Sequence, residues 1–464
     1  MLQYPCEIEE RASKSKTAAK ERKLADRKGI PAEAQEGIRS PCCWAQGRIP
    51  LRLSPTWRTI SPKKANNAGT EVPAVRTDID SYSLRCICAA VFFGAQRTNY
   101  FYRSTEMKNY NVAIIGATGM VGQRFSLLLE NHPWFHVTAL AASPASAGKK
   151  YRDAVAGRWA MTSPIPEKFA DMVVLDAEKD IEKIAGMVDF VFCAVNMKKD
   201  EIKTLEEKYA KAEVPVISNN SAHRFTPDVP MIIPEINPEH AKVIEAQKKR
   251  LGTKRGFIAV KSNCSLQSYV PALHPLRKYG ISKVAVSTYQ AISGAGKTFD
   301  RMPEILDNVI PYIGGEEEKS EREPLKIWGH IENGEIVTTD TPKITAQCLR
   351  VPVSDGHTAA VFVTFDKKPS KDEILKAWAE FSGVPQALEL PSAPKQFIHY
   401  FEEDNRPQAK LDRMLENGMA VSVGRLREDI VFDYKFVCLS HNTLRGAAGG
   451  AVLMAELLCA ENYI

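Results

Sequence analysis

The sequence predicts an α/β protein in which a parallel sheet covered by helices is followed by a second, less regular sheet. Two observations carry this prediction. From residue 109 to about residue 262, apolar strand-like runs alternate with helical stretches, as they do where helices join the strands of a parallel sheet. After residue 264 the strands become longer and alternate apolar with polar residues, which is typical of an antiparallel sheet with helices on one face.

The expected elements of the first half follow from these runs. Strands are expected at residues 112–115, 135–142, 172–175, 188–194, 214–217 and 257–260, and helices at 123–130 and 199–211. In the second half, strands are expected at 283–289, 358–365 and 430–439, and helices at 299–310 and 371–381. The last run, residues 442–458, begins with small residues and becomes apolar, which predicts a closely packed helix.

Residues 1–106 differ from the rest in pattern and in charge. They show no sustained periodicity and hold 18 Lys/Arg against 11 Asp/Glu, whereas the remainder holds 44 against 45. We expect this segment to be an extension, either disordered or targeting, or a gene-model artefact with the natural start at Met107. The nearly neutral main body gives no reason to expect nucleic acid or a membrane as a partner.

The ten cysteines are widely spaced, and we expect no signal peptide before them. This usage indicates a reducing compartment, so we expect a cytoplasmic protein. Cys86 and Cys88 are too close for the usual zinc spacing, and no metal is expected. The apolar run at residues 86–95 is too short to span a bilayer.

A glycine-rich turn follows the first predicted strand and opens a helix. It comprises Gly116, Thr118, Gly119, Met120, Val121 and Gly122, with Ala117 between the first two. Glycines at such a turn permit a close approach of the backbone to a pyrophosphate, which the helix N–H groups then hold. The turn therefore predicts a dinucleotide site.

The residues after the second strand indicate which dinucleotide. Where an NAD-binding protein offers an acidic residue to the ribose, this chain has Ser143, Ser146 and Lys149. Hydroxyl and ammonium groups suit a 2′-phosphate. The cofactor is therefore predicted to be NADP, with these three residues in the site.

Cys264 lies where an apolar strand turns into a helix, in the sequence Ser262-Asn263-Cys264-Ser265. The positive N-terminal end of a helix favours a thiolate over a thiol. Cys264 is therefore a candidate nucleophile, against the alternative of a small buried residue with no chemical role.

Six ordered motifs resemble the aspartate-β-semialdehyde dehydrogenase family, in its archaeal and fungal branch. They are GATGMVGQ at residues 116–123, the spacing of residues 143–151, SNNSAHR at 218–224, PEIN at 234–237, SNCS at 262–265, and Arg350 with His357. The resemblance extends from about Lys108 to the C-terminus. It implies a Rossmann-type NADP-binding domain (107–262), an α+β catalytic and dimerisation domain of the glyceraldehyde-3-phosphate-dehydrogenase-like type (263–438), and a C-terminal helix (439–464) that packs back on the first domain.

The resemblance also implies roles for individual residues. Cys264 would attack the acyl group to form a thioester, and His357 would deprotonate the thiol and later shuttle a proton. Gln290 would contact the reacting substrate. The nicotinamide end of the cofactor would lie near Ser293, Gly294 and Asn442.

The charged residues would hold the two anionic ends of the substrate. Arg350 would bind the α-carboxylate, and Arg224 and Lys319 the phosphate, with Asn263 alongside. Glu316 would bind the α-amino group, although Glu317 is an alternative within the same acidic run.

The function implied is reduction of L-aspartyl-4-phosphate by NADPH to the semialdehyde, a step of lysine, threonine and methionine biosynthesis, in a homodimer or homotetramer. A malonyl-CoA reductase would use the same cysteine, histidine and cofactor turn, but has no need for Glu316. N-Acetylglutamyl-phosphate reductase matches the motifs less well. A catalytically idle NADP-binding sensor is a further alternative, against which Cys264, Gln290, Arg350 and His357 all argue.

Overall fold

The structure is a computed structural model that describes residues 108–464. The expectations for residues 1–106 lie outside the described residues. Within the described part, two large sheets and one two-stranded ribbon are formed.

Seven strands form the first sheet, and every neighbouring pair in it is parallel. The strands are β1 (Tyr110–Ile115), β2 (Phe135–Ala142), β3 (Leu175–Asp176), β4 (Phe190–Cys193), β5 (Val216–Ser218), β6 (Met231–Ile232) and β7 (Ile258–Lys261). Their order in space is β3-β2-β1-β4-β5-β7-β6. The prediction of a parallel sheet is confirmed; only the short edge strand β6 was not expected.

Helices alternate with these strands. They are α1 (Met120–Leu129), α2 (Tyr151–Ala154), α3 (Glu167–Ala170), α4 (Ile181–Ala185), α5 (Lys199–Lys211) and α6 (Ile244–Leu251). Because all strands run in one direction, the turns after β1, β4, β5 and β7 meet at one edge of the sheet. Binding sites of open parallel sheets lie at this edge.

The second sheet is mixed rather than antiparallel as expected. Its strands are β8 (Ile281–Gln290), β11 (Lys343–Arg350), β12 (His357–Phe365), β13 (Ile398–Phe401), β14 (Val421–Glu428) and β15 (Tyr434–Ser440), in the order β11-β8-β12-β15-β14-β13. The pairs β8–β11 and β13–β14 are parallel. A helix lies between β8 and β11 in the chain, and a crossover of this kind returns the second strand in the same direction.

The remaining elements connect and cover this sheet. They are α7 (Leu266–Leu273), α8 (Glu316–Ile327), the ribbon β9 (His330–Glu332) and β10 (Glu335–Val337), α9 (Lys371–Ala379), α10 (Val384–Ala387), α11 (Ala409–Asp412) and α12 (Gly449–Ala460). A continuous apolar core joins both sheets, from Ala113 in β1 to Cys438 in β15.

Three of the expected elements were wrong in position or type. Instead of a helix at 299–310, there are two short 3₁₀ turns, Phe299–Arg301 and Pro303–Ile305, because Pro303 disfavours a helical conformation at the residue before it. The strand expected at 430–439 begins only at Tyr434. Ile430 is fully exposed in a turn where the Asp429 carboxylate accepts the N–H groups of the second and third residues after it.

The C-terminal helix begins later than expected. Residues Leu444–Ala448 form an irregular π-type turn, and the regular helix α12 starts at Gly449. Leu453 and Leu457 of α12 belong to the same apolar cluster as Val112 and Ile114 of β1. The helix is therefore packed against the first sheet and is apolar on nearly all sides.

Within residues 108–464, no helix is both long and apolar enough to cross a membrane.

Candidate active site

The turn after β1 is built on glycines that no other residue can replace. Gly116 has φ +91°, and a β-carbon there would lie 2.4 Å from the carbonyl oxygen of Ala194, at the end of β4. A β-carbon on Gly122 would lie 2.2 Å from the Gly116 oxygen. These contacts bring the first turn of α1 close to the ends of β1 and β4, as a dinucleotide turn requires.

A cleft opens at this turn. It is lined by Gly116, Thr118, Gly119, Ala142, Ser143, Pro144, Arg158, Asp176, Ala177, Glu178, Ala194, Val195, Asn196, Met197 and Leu205. Four of the residues predicted for the cofactor are therefore in its wall: Gly116, Thr118, Gly119 and Ser143. A β-carbon on Gly119 would meet only one atom, at 3.5 Å, so its backbone faces open space. The cleft fits a dinucleotide whose diphosphate lies against the N-terminus of α1.

The other predicted cofactor residues lie outside this lining. Met120 and Val121 are half-buried, Gly122 is inside the turn, and Lys149 is exposed. Ser146 is buried, and its hydroxyl oxygen accepts a hydrogen bond from Arg158 Nη2 at 2.9 Å.

Arg158 is a residue that the sequence analysis missed. It lines the cleft with Ser143 and is anchored by Ser146 and by the carbonyl oxygen of Ala154, which accepts from Nε at 2.8 Å. Its guanidinium is thus a fixed cation in the same cleft as Ser143, one of the residues predicted for the 2′-phosphate. No motif marks it, since it lies in a loop well after the second strand.

Cys264 follows β7 at the same edge of the sheet. Its Sγ lies 3.4 Å from His357 Nε2, although 93 residues separate them in the chain. Burial raises the pKa of the Cys264 thiol and the charge of Glu316 adds to this, while the cations Lys261, Arg224 and Arg350 oppose it. Burial therefore opposes the preference for thiolate that was expected from the helix N-terminus.

His357 is held in one orientation by the backbone. Its Nδ1 accepts the N–H of Ala291 at 3.0 Å, so the single proton of the neutral ring belongs on Nε2, facing the sulfur. Burial, together with the charges of Arg350 and other cations, lowers the pKa of His357 well below its usual value. This arrangement favours donation to sulfur or to a substrate oxyanion; acceptance of the thiol proton, as the sequence analysis expected, requires the other tautomer.

Glu316 is the glutamate of the acidic run that enters the site. Its carboxylate accepts from Asn263 Nδ2 at 3.0 Å, from Lys319 Nζ at 2.6 Å and from Gln290 Nε2 at 3.3 Å. Burial by itself would raise the pKa of Glu316, but these partners, Lys319 foremost, lower it. Glu317, the alternative, instead accepts the backbone N–H of Cys348 at 3.2 Å.

Arg350 lies at the end of β11, beside the loop that follows β8. Its Nη1 donates to the carbonyl oxygen of Ala291 at 2.6 Å. A β-carbon on Gly294 would lie 3.0 Å from Arg350 Nη1 and 3.1 Å from the His357 ring, so a larger residue there would have to shift one of these side chains. Asn442 closes the loop from the other side, donating to Ser293 Oγ at 2.9 Å and accepting the Gly356 N–H at 2.8 Å.

Arg224 contacts the strand end that precedes Cys264 and forms a buried ion pair. Its Nη1 is 2.9 Å from Glu323 Oε1, and its Nε donates to the carbonyl oxygen of Lys261 at 3.0 Å. Glu323 and Lys261 are further residues that the sequence analysis missed. A helical spacing of seven residues from Glu316 to Glu323 is the one signal that places Glu323 on the same face of α8.

Within the described residues, no group of three His, Cys, Asp or Glu side chains is arranged to hold a metal ion. The nucleotide cleft and the cysteine both lie where parallel strands end, and these are the parts that hydride transfer to a covalent thioester needs. Fold and site together define a nucleotide-dependent oxidoreductase with a cysteine nucleophile.

Comparison with known proteins identifies the family. Residues 111–244 match the family model of the semialdehyde dehydrogenase NAD binding domain, and residues 273–445 match that of the semialdehyde dehydrogenase dimerisation domain. The aspartate-semialdehyde dehydrogenase of Methanothermobacter thermautotrophicus is 45% identical over 351 residues, 75% of this chain and 98% of the relative. That of Saccharomyces cerevisiae is 44% identical over 366 residues, 76% and 98% of the two chains.

Solved structures agree with these relatives. The aspartate semialdehyde dehydrogenase of Candida albicans, determined with NADP, matches with a TM-score of 0.69 and 41% identity over 77% of this chain and all of that one. Aspartate semialdehyde dehydrogenase II of Vibrio cholerae, complexed with ASA, matches with a TM-score of 0.57 and 26% identity over 76% and 98%. The chain belongs to the aspartate-semialdehyde dehydrogenase family.

Proposed function

We propose that the protein reduces L-aspartyl-4-phosphate to L-aspartate-4-semialdehyde with NADPH, releasing phosphate. The observation that carries the proposal is the 3.4 Å approach of His357 to the sulfur of Cys264, beside the Glu316 cluster and Arg350. Cys264 attacks the acyl carbon, the acyl–phosphate bond breaks, and a thioester forms. The proton of the Cys264 thiol leaves on the phosphate, and the thiolate that is released with the aldehyde takes up the one proton consumed overall.

NADPH, when bound, supplies the hydride that reduces the thioester. Gly116, Thr118 and Gly119 would hold its diphosphate, and Ser143 and Arg158 its 2′-phosphate. The Nε2–H of His357 stabilises the oxyanion that forms at the former carbonyl, and the thiolate of Cys264 is then expelled as the aldehyde forms.

The substrate is held by the charged groups around the cysteine. Arg350 binds the α-carboxylate of the substrate, and Glu316 binds its α-ammonium group. The ammonium group then replaces Lys319 as the positively charged partner of the Glu316 carboxylate. Lys319 is then free to turn to the phosphate with Arg224. Gln290 and Asn263, which both donate to Glu316, keep its carboxylate in place.

The organisation predicted from the sequence forms part of the proposal. Residues 107–262 contain the whole first sheet, and 263–438 contain the second sheet up to most of β15, which supports one cofactor-binding and one catalytic domain. The face of the second sheet that includes Tyr289, 39% exposed, is open, which supports a homodimer formed through this domain. A homotetramer and a cytoplasmic location are further parts of the proposal.

The purified protein tests the proposal in the reverse direction. Aspartate semialdehyde, phosphate and NADP should give NADPH, measured at 340 nm, and malonyl-CoA with NADPH should give no oxidation. Turnover of malonyl-CoA without turnover of the semialdehyde would replace the proposal with an acyl-CoA reductase.

A further inference from the structure

Helix α8 carries a second pair of charged residues two turns after Glu316 and Lys319, toward its C-terminus. Glu323 and Lys326 follow on the same face of the helix and are 0% and 2% exposed. Ionised side chains are rarely this buried unless they are fully paired. Their partners therefore indicate what they are for.

Both oxygens of Glu323 are bound to the active site. Oε1 accepts from Arg224 Nη1 at 2.9 Å, and Oε2 accepts the backbone N–H of Asn263 at 2.6 Å. Arg224 Nε in turn donates to the carbonyl oxygen of Lys261, two residues before Asn263. These bonds form a closed ring that ties the guanidinium of Arg224 to the turn carrying Cys264.

Lys326 holds the same arginine by its main chain. Its Nζ donates to the carbonyl oxygens of Arg224 at 2.8 Å, Thr226 at 2.8 Å and Val229 at 2.9 Å. An ammonium group has three protons, and all three are used. The backbone and the side chain of Arg224 are thus both fixed by α8.

Arg224 keeps capacity for a ligand. A guanidinium has five N–H donors, and three are engaged, with Glu323, with Lys261 and, at 3.4 Å, with the carbonyl oxygen of Asn219. Two donors remain for phosphate oxygens, and the three fixed bonds decide where they point.

We propose that Glu323 and Lys326 are positioning residues that orient Arg224 toward the phosphate group of the substrate. They also fix the position of the Asn263–Cys264 turn relative to Arg224. This rests on the proposed function, in which Arg224 binds phosphate. It assigns to α8 two tasks: Glu316 and Lys319 contact the substrate, and Glu323 and Lys326 set the geometry of the residues opposite.

The test is the variant Glu323→Gln, with Glu318→Gln on the exposed face of the same helix as matched control. An amide offers one acceptor oxygen where the carboxylate offers two, so either the Arg224 or the Asn263 bond is lost. With aspartate semialdehyde, phosphate and NADP, the KM for phosphate should rise about tenfold or more, as loss of a charge-assisted bond implies, and the KM for the semialdehyde should stay within about twofold. The control should match the wild type.

A second measurement does not depend on turnover. Inorganic phosphate should protect Cys264 from alkylation by iodoacetamide, and the concentration that halves the rate should rise about tenfold in Glu323→Gln. Protection that is the same in this variant, in the control and in the wild type overturns the inference. If phosphate protects Cys264 of the wild-type protein but the protein does not turn over the semialdehyde, the proposed substrate is overturned. The inference of a phosphate site at Arg224 then still holds.

Two outcomes separate positioning from a merely structural role. Lower thermal stability of Glu323→Gln with an unchanged KM for phosphate would overturn the inference. If this variant fails to fold, Lys326→Arg carries the test: a planar guanidinium cannot reach three converging carbonyls, and the KM for phosphate should rise at least about threefold. An unchanged KM in folded Lys326→Arg overturns the inference equally.

Discussion

The backbone of Gly446 forms the wall behind Cys264: a β-carbon on Gly446 would lie 2.9 Å from the β-carbon of the cysteine. This wall is itself fixed, because the neighbouring Arg445 makes a buried bidentate ion pair with Glu235, at 2.7 and 2.5 Å, and donates to Gln267 Oε1 at 2.9 Å. The C-terminal segment thus limits the space available to the Cys264 side chain.

Gly446→Ala is therefore expected to displace the nucleophile. The added methyl group must displace Cys264 and so alter its 3.4 Å contact with His357, and misplacement of about 1 Å can cost ~100-fold in rate. We expect kcat to fall about tenfold to 100-fold with little change in NADP binding. Gly314→Ala is the control, since nothing lies within 4 Å of a β-carbon there. Equal kcat in both variants would contradict this role of the wall.

Cys264→Ala is expected to abolish turnover and to leave NADP binding nearly intact. Without the thiolate no thioester forms, whereas the nucleotide cleft does not include residue 264. Turnover is measured at 340 nm, and cofactor affinity by titration of NADPH fluorescence. Cys348→Ala, at a buried cysteine, is the control for loss of a thiol. Activity retained in Cys264→Ala would end the covalent mechanism.

His357→Asn is expected to slow kcat by about 10²–10⁴-fold, the range of general acid–base catalysis, without abolishing it. The smaller amide no longer places a proton near the sulfur or the oxyanion. His330→Asn, at an exposed histidine, should behave as wild type. A loss below about threefold for His357→Asn would mean that the proton is delivered by another group.

Lys261→Met is expected to stabilise the fold and to weaken the nucleophile. Burial lowers the pKa of Lys261 from 10.5 to about 7. Between these values the unfolded chain binds the proton more tightly, so the free energy of unfolding rises with pH across this window; below pH 7 the whole cost of burying the ammonium is present.

The variant should therefore unfold at a temperature higher by several degrees at pH 6, with a flatter pH dependence between pH 7 and 10. Since the ammonium opposes the raised pKa of Cys264, alkylation of the thiol should slow as well. Lys367→Met, at an exposed lysine, is the control. A lower melting temperature of Lys261→Met at pH 6, with an unchanged pH dependence of stability, would contradict the view that the buried Lys261 ammonium group destabilises the fold.

Arg158→Ala is expected to reduce the preference for NADPH. Its guanidinium lines the cleft beside Ser143, and one charge-assisted bond to a phosphate corresponds to about tenfold to 100-fold in affinity. The KM for NADPH should rise by this factor, and the KM for NADH should stay within about twofold. An equal rise of the KM for NADPH and for NADH would show that Arg158 shapes the cleft without contacting the 2′-phosphate.

The nucleotide turn could be predicted from the sequence because its requirements are local. Gly116 has a φ of +91°, and a β-carbon on Gly122 would meet Gly116 and Ala117 of the same turn, so both glycines are required locally. The alternation of strands and helices identifies a parallel sheet. The second sheet could not be predicted in the same way. Whether β11 pairs parallel or antiparallel with β8 depends on the path of the chain between them, which periodicity does not record.

For this protein, the sequence by itself determined the parallel sheet and the dinucleotide turn, since each is marked by residues that are close in the chain. It made Cys264 a candidate nucleophile through its place at the end of a strand, and it pointed to His357 only through the family resemblance. Only the tertiary structure decided which glutamate of the acidic run contacts Asn263 and that Arg158 lines the cleft. It also decided that the N–H of Ala291 donates to Nδ1 of His357, which leaves the ring proton on Nε2. The reason is physical: these choices depend on contacts between segments tens of residues apart, where burial and the orientation of single donors outweigh any local preference.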